Sequence, residues 1–182
     1  MLNRRRMMMM MSKKESSADV WDYEWVYTPG GEYPPNMTYV AIEDTGSGIL
    51  VNHPNLLFSD KNGIGDAELF VRGQIVGAYN DPQLIIVHST KKGFKVYSDG
   101  TNLRSNAEGA SKVLCLQSTA ESIRIKFEGN TASIYINGEL VLSGPGVENN
   151  AYLSNTGIVS TTSNDNISAR IMSLKEIRFR RL

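Results

Sequence analysis

Paired carboxylates are the first residues in this chain whose type and spacing could do chemistry. Cleaving a glycosidic bond takes two carboxyl groups held roughly 5–10 Å apart. Two short-range pairs meet that need by proximity, Glu43-Asp44 and Asp66-Ala-Glu68. Neighbours on a strand point to opposite faces, which separates Glu43 from Asp44. Asp66 and Glu68 share a face, but a solvated strand end accounts for them without catalysis. Nucleophilic chemistry has less to draw on. Cys115, the single cysteine, lies in the apolar run Val113-Leu-Cys-Leu-Gln117, where a thiol behaves as a small core residue. The two histidines, His53 and His88, stand outside any nucleophile motif, and no glycine-rich loop has phosphate-binding spacing. One cysteine and two histidines also exclude a disulfide framework and a Cys-rich zinc site. The chain is expected to be non-enzymatic.

Hard oxygen donors gather in Asp60-Lys-Asn62-Gly-Ile-Gly-Asp66, the ligand type that calcium takes. Asp60, Asn62 and Asp66 are therefore the candidate calcium ligands, although the closing bidentate glutamate is missing and any turn selects the same residues. No other cofactor is expected. A saccharide site needs exposed aromatic rings beside hydrogen-bonding groups. Trp21, Tyr23, Trp25 and Tyr27 alternate, so they would share one face of a strand, either open to a glycan or packed on the core. Tyr79 and Tyr97, with Tyr33 and Tyr152, lie in or beside loops and form a second platform. The candidate glycan-binding residues are Trp21, Tyr23, Trp25, Tyr79 and Tyr97.

The elements that must position these residues are strands. With 182 residues, 41% of them hydrophobic, the chain suits one domain, 19–182, preceded by an arm, 1–18. No apolar run approaches the roughly 20 residues of a membrane-spanning helix. Short β-type runs are separated by turn clusters such as Pro29-Gly30-Gly31, Asp99-Gly100 and Ser163-Asn164-Asp165-Asn166. Strands are expected at 24–27, 38–43, 48–52, 56–58, 68–75, 84–89, 93–98, 112–117, 122–128, 131–137, 139–143 and 157–161, and at 168–179 with an internal break. In the strongest segment Ile123, Ile125 and Phe127 alternate with Arg124 and Lys126. Gly129-Asn130 and Asn137-Gly138 are hairpin turns, which place Ala132, Ile134, Ile136, Leu140 and Leu142 inward. Ile177 and Phe179 alternate with Arg178 and Arg180 in a closing strand with a basic outer row. Leu84, Ile86, Phe94, Val113 and Leu114 complete the expected core. Without βα alternation the class is all-β, an antiparallel two-sheet sandwich.

The run Ile123-Arg-Ile-Lys-Phe-Glu128, then Ser133-Ile-Tyr-Ile-Asn-Gly-Glu-Leu-Val141, Gly157-Ile-Val159 and Leu174-Lys-Glu-Ile-Arg-Phe179 resembles the C-terminal half of concanavalin A-like (laminin-G-like) jelly-roll domains. That resemblance implies a jelly roll, and often a calcium ion at the sandwich rim. Lectins, glycoside hydrolases, adhesion modules and viral structural domains share the fold, so it assigns no activity. The Glu-x-Asp-x-x-Glu run of the family's glucanases is absent here.

Charge singles out the two ends. Arg4, Arg5, Arg6, Lys13 and Lys14 meet no acid in residues 1–14, and 170–182 carry five basic residues against Glu176, leaving 15–169 with nine basic and eighteen acidic side chains. These basic ends would either meet an acidic surface or remain solvated. Met7, Met8, Met9, Met10 and Met11 follow the arginines, and unbranched, polarizable side chains suit irregular grooves on another protein. The apolar stretch is too short for a secretory signal. Arg4 to Met11 is thus read as an anchoring arm that docks on other structural subunits, and it resembles the arms of tailed-phage virion proteins. The expectation is a virion component (head fibre, capsid decoration or tail-attached) in a homo-oligomer, displaying a glycan-binding sandwich. The alternative is a lectin or glycan-active enzyme, extracellular or at the cell surface. Neither nucleic acid nor a membrane is an expected partner, because the body is acidic and lacks the aromatic interleaving of single-strand binders.

Overall fold

The computed structural model describes residues 20–35, 37–38, 41–52, 55–56, 65–76, 83–87, 92–106, 111–145, 147–148, 159–160 and 170–182. The arm 1–18, His53, Asp60, Asn62, Tyr79, His88 and Tyr152 lie outside them, as do the side chains of Leu84, Ile86 and Phe94.

The strands are β1 (Tyr23–Val26), β2 (Met37–Thr38), β3 (Ala41–Asp44), β4 (Ile49–Asn52), β5 (Asn55–Leu56), β6 (Ala67–Val76), β7 (Gln83–Val87) and β8 (Lys92–Ser98). They continue as β9 (Asn102–Ser105), β10 (Lys112–Leu116), β11 (Ser122–Glu128), β12 (Thr131–Ile136), β13 (Glu139–Pro145), β14 (Val147–Glu148), β15 (Val159–Ser160) and β16 (Arg170–Arg181). They form two antiparallel sheets, so the all-β, two-sheet expectation holds. The first runs β13-β12-β11-β6-β16-β4-β3, with β1 also beside β16; the second runs β10-β9-β8-β7-β15-β5-β2, with β14 beside β8. A single 3₁₀ turn, Gln117–Thr119, links β10 of one sheet to β11 of the other.

Alternation builds the first sheet as its residues dictate. Ile123, Ile125 and Phe127 of β11, Ala132, Ile134 and Ile136 of β12, Leu69 and Val71 of β6, and Ile177 and Phe179 of β16 all point inward and are buried. Val96 and Leu103 of the second sheet join the same cluster, the arrangement of a β-sandwich. Burying each large aliphatic or aromatic side chain contributes roughly 1.5–3 kcal/mol relative to exposure. Asn137 and Gly138 have φ of 52° and 86°, the two positive values a type I′ hairpin turn needs. Asn137 also ties this end of the sheet together. Its Oδ1 accepts from the backbone N–H groups of Glu121 and Ser122, and its Nδ2 donates to Thr119 O.

Two core assignments fail beside local register shifts. Between β12 and β13 the register slips at Ile134/Tyr135, pairing Ile134 with Leu142 but Tyr135 with Leu140. Leu142 is buried as expected, whereas Leu140 is turned out and more than half exposed. A shift between Val113 and Cys115 lies on edge strand β10, where Val113 is exposed and Leu114 and Cys115 pack part-buried on the core. The expected strand at 38–43 is two strands in different sheets, since β2 pairs β5 while β3 pairs β4. β9 went unrecognised because Asn102-Leu-Arg-Ser105 carries a single apolar residue.

β16 is the axis of the first sheet. One side pairs with β6; the other pairs with β4 along its first half and with β1 along its second. The expected internal break is a bulge between Met172 and Glu176, with Ser173 at φ 52°. Gly48 and Gly73 flank it from either neighbouring strand, and a Cβ on either would sit 2.9 Å from the backbone of Ser173 or Leu174.

Candidate functional site

The outer face of the first sheet carries the most organised group of side chains. Strand alternation turns Glu68, Phe70 and Arg72 of β6 to this face, with Ser122, Arg124 and Lys126 of β11 and Glu176, Arg178 and Arg180 of β16. The pairings Arg124↔Phe70↔Arg178 and Lys126↔Glu68↔Arg180 set these residues in rows across three strands. Each row puts opposite charges or a charge and a ring side by side.

Glu68 is the centre of the lattice, with its side chain only 1% exposed. Its Oε1 accepts from Arg124 Nε, and its Oε2 accepts from Arg180 Nε at 2.7 Å, with Arg180 Nη2 at 2.6 Å. An ionised carboxylate without partners at this depth would be prohibitively unfavourable, so the two guanidinium groups are a condition of its burial. Glu176, also buried, lies 2.5 Å from Arg178 Nη2 and 3.3 Å from Arg72 Nε. Arg178 Nε lies 2.9 Å from Glu24 Oε1 on β1, as an ion pair off the hydrogen-bond line.

Trp21 roofs one end. The segment before β1 is fixed by the Arg181 N–H, which donates to Asp22 Oδ2 at 2.7 Å, and by the register that sets Glu24 opposite Arg178. The indole therefore sits over the guanidinium groups of Arg180 and Arg178, 4.6 and 5.9 Å from its centroid. Arg124 lies 5.0 Å from the centre of the Tyr135 ring. Each such cation–π contact adds about 0.5–1 kcal/mol at a part-exposed site. The result is a depression of about 410 Å³ lined by Trp21, Glu68, Phe70, Arg124, Glu176 and the two arginines of β16.

The other aromatic candidates do not join Trp21. Trp25 is 8% exposed, and its Nε1 donates to Glu32 O, so it belongs to the core and offers no platform. Tyr23 and Tyr27 pack against the same core. The Tyr23 hydroxyl donates to Pro35 O, and burial pushes its pKa up to about 12. Tyr27 donates to Asp44 Oδ1 at 2.7 Å, and the backbone N–H groups of Gly30 and Gly46 bind the same carboxylate. These bonds hold Asp44 below the usual carboxylate range and make it a turn anchor. Tyr23, Trp25 and Tyr27 thus share one face, packed on the core, and only Trp21, which precedes the strand, escapes the alternation. Tyr97 lies on β8 of the second sheet, bonded to Ser111 Oγ. Of the calcium candidates only Asp66 is among the described residues, and its Oδ1 accepts from Gly129 N.

The reading of Asp66 and Glu68 as a solvated strand end is corrected for Glu68, whose burial is sustained by partners 56 and 112 residues away. The basic row of β16 likewise meets acids of its own chain. The carboxylates of the two buried glutamates are each taken up by arginines. Glu176 pairs with Arg72, four residues along β6 from Glu68, which sets their backbones roughly 13 Å apart along the strand. Sequence reasoning missed Glu68, Arg72, Arg124 and Glu176 as a group. Their signal was charge at alternate positions: Glu68-x-Phe70-x-Arg72, Arg124-x-Lys126 and Glu176-x-Arg178-x-Arg180.

No protein-family model matches the chain, and no curated protein matches it either.

Proposed function

We propose that this chain is a non-enzymatic adhesion component of a larger assembly, in which residues 1–18 attach and the outer face of the first sheet takes a glycan. The observation that carries the binding half is the depression beside Trp21, where a ring and several part-exposed guanidinium groups converge over buried carboxylates. Stacking on a ring with converging hydrogen-bond donors is what a saccharide requires. Attachment rests on the composition of Arg4–Met11, whose resemblance points to a tailed-phage virion and, through symmetric contacts, to several copies. The concanavalin A-like jelly roll is the fold family in which such display domains and lectins both occur.

A free lectin of the same fold is the second reading, since it would use the same groove. A glycan-active enzyme is disfavoured by the guanidinium groups that occupy both oxygens of Glu68.

The test is binding of the full chain to a broad glycan array, repeated with Trp21→Ala. The expected result is selective binding that Trp21→Ala weakens by about tenfold or more, with the thermal midpoint little changed. Absence of any glycan binding by the native chain would remove the reading. Trypsin sensitivity at Arg4-Arg5-Arg6 separates the two settings, because protection in the source assembly marks an anchor and equal cleavage marks a free lectin.

A further inference from the structure

A second depression, of about 430 Å³, abuts the first. It is lined by Arg72, Gln74, Ser118, Glu121, Ser173 and Lys175. The two share a wall, because Arg72 of the second is ion-paired with Glu176 of the first at 3.3 Å. Glu68 to Gln74 covers six residue steps of one strand, or roughly 20 Å at strand rise. That length passes the Trp21 end, the ion-pair wall and the bulge at Ser173 in turn.

The arginines are mounted in a particular way. Arg124 uses Nε to bind buried Glu68, and Arg72 turns Nε toward buried Glu176. The two side chains are nonetheless 42% and 50% exposed, so part of each guanidinium group faces solvent. Anchoring Nε restrains the plane of each guanidinium group, and a planar guanidinium grips a carboxylate or sulfate in two parallel bonds. Lys175, exposed and without an ion pair among the described residues, adds a cation at the far end. The acids contribute little repulsion at the surface. Glu68 and Glu176 lie beneath their arginines, and Glu121 stands at the rim of the second depression.

We infer that the two depressions are one groove for an extended acidic polysaccharide, whose carboxylate or sulfate groups are held by the exposed guanidinium groups of Arg124 and Arg72 while Trp21 stacks on a ring. This rests on the glycan-binding reading and names its substrate class. A sugar acid fits better than nucleic acid, since the lining lacks the successive stacking platforms of a single-strand binder.

The test is calorimetric titration of the full chain with polygalacturonate, alginate and heparin oligomers of increasing length. Methyl-esterified galacturonan of the same linkage serves as the uncharged control, and a single-stranded oligonucleotide as the competitor class. Affinity is expected to rise with length, to fall about tenfold on esterification through loss of the charge-assisted bonds, and to weaken in high salt. Arg72→Gln and Lys175→Gln should weaken long oligomers and spare short ones, with circular dichroism confirming the fold. Equal binding of acid and ester, no length dependence, no binding to any of the three acidic chains, or tighter binding of the oligonucleotide would overturn the inference. Neutral glycans bound on the array alongside any of those outcomes would leave the broader glycan reading standing, and an array without binding would remove both.

Discussion

Two arginine–carboxylate clusters in this protein use the same chemistry for opposite ends. At the β8–β9 hairpin, Asp99 accepts from the N–H groups of Thr101 and Asn102 and from Arg104 Nε, all within five residues. On the outer face of the first sheet, Glu68 draws its partners from strands 56 and 112 residues away. The hairpin cluster is closed: its donors turn back on one carboxylate, and the same Arg104 reaches Ser111 Oγ. The sheet cluster is open, because Arg124 and Arg72, which hold its two buried acids, keep 42% and 50% of their side chains exposed. A closed cluster shapes the chain, whereas an open one is available to a ligand.

The sharpest way to break the comparison is to remove a partner from each. Arg180→Ala leaves a fully buried carboxylate with Arg124 alone and should destabilise by roughly 3 kcal/mol or more in urea unfolding. Arg104→Ala should cost clearly less, because water can solvate Asp99 in its place. Equal losses would mean that the sheet cluster is no more buried in effect than the turn. Next in size is Gly73→Ala, which sets a Cβ against the Leu174 backbone at a positive φ of 155°. A cost of roughly 1–3 kcal/mol is expected from the backbone conformation alone. The bulge at the end of the groove should shift with it, so long acidic oligomers should lose affinity more than short ones.

The smallest effect sharpens the closed side. The hydrogen bond from Arg104, followed by those from the backbone of Asn102 and Thr101, holds the Asp99 carboxyl well below its ordinary value. A depressed folded pKa contributes stability above the unfolded value, near 3.9, and that contribution is lost as pH falls through the folded one. Asp99→Asn should therefore be less stable than the native chain at neutral pH and approach it as the pH drops below about 4. Acid titration of the two thermal midpoints checks this, and parallel curves would remove Asp99 from the hairpin's energetics.

What could be read from the residues divides along the same line of local against distant. Ile123, Ile125 and Phe127 with the Asn137-Gly138 turn declare a hairpin unaided, since period-two burial and positive φ are local properties. Leu140 fell outside that logic because the turn sets it opposite outward-facing Tyr135, while the extra residue Val141 returns Leu142 to the core, and nothing in Glu139-Leu-Val-Leu announces that slip. Trp21 and Trp25 look equivalent in sequence, yet one roofs the groove and the other is core, because only Trp25 lies within β1. Glu68 was unreadable for a stronger reason. Its burial depends on Arg124 and Arg180, and pairing across that distance is settled by sheet order.

The central position of β16 also sets a timetable for a nascent chain. Once residue 128 has emerged, β6 and β11 can pair, but the other flank of β6 stays open until Arg170–Arg181 is made. At 5–20 residues per second that interval is roughly 3–10 s. During it an apolar strand edge would invite pairing with a neighbouring ribosome's product, and the charges of Glu68 and Arg72 along that edge are the kind that discourage it. The glutamate that ends as the most deeply enclosed acid of the sheet would thus begin as a solvated guard on its unfinished side.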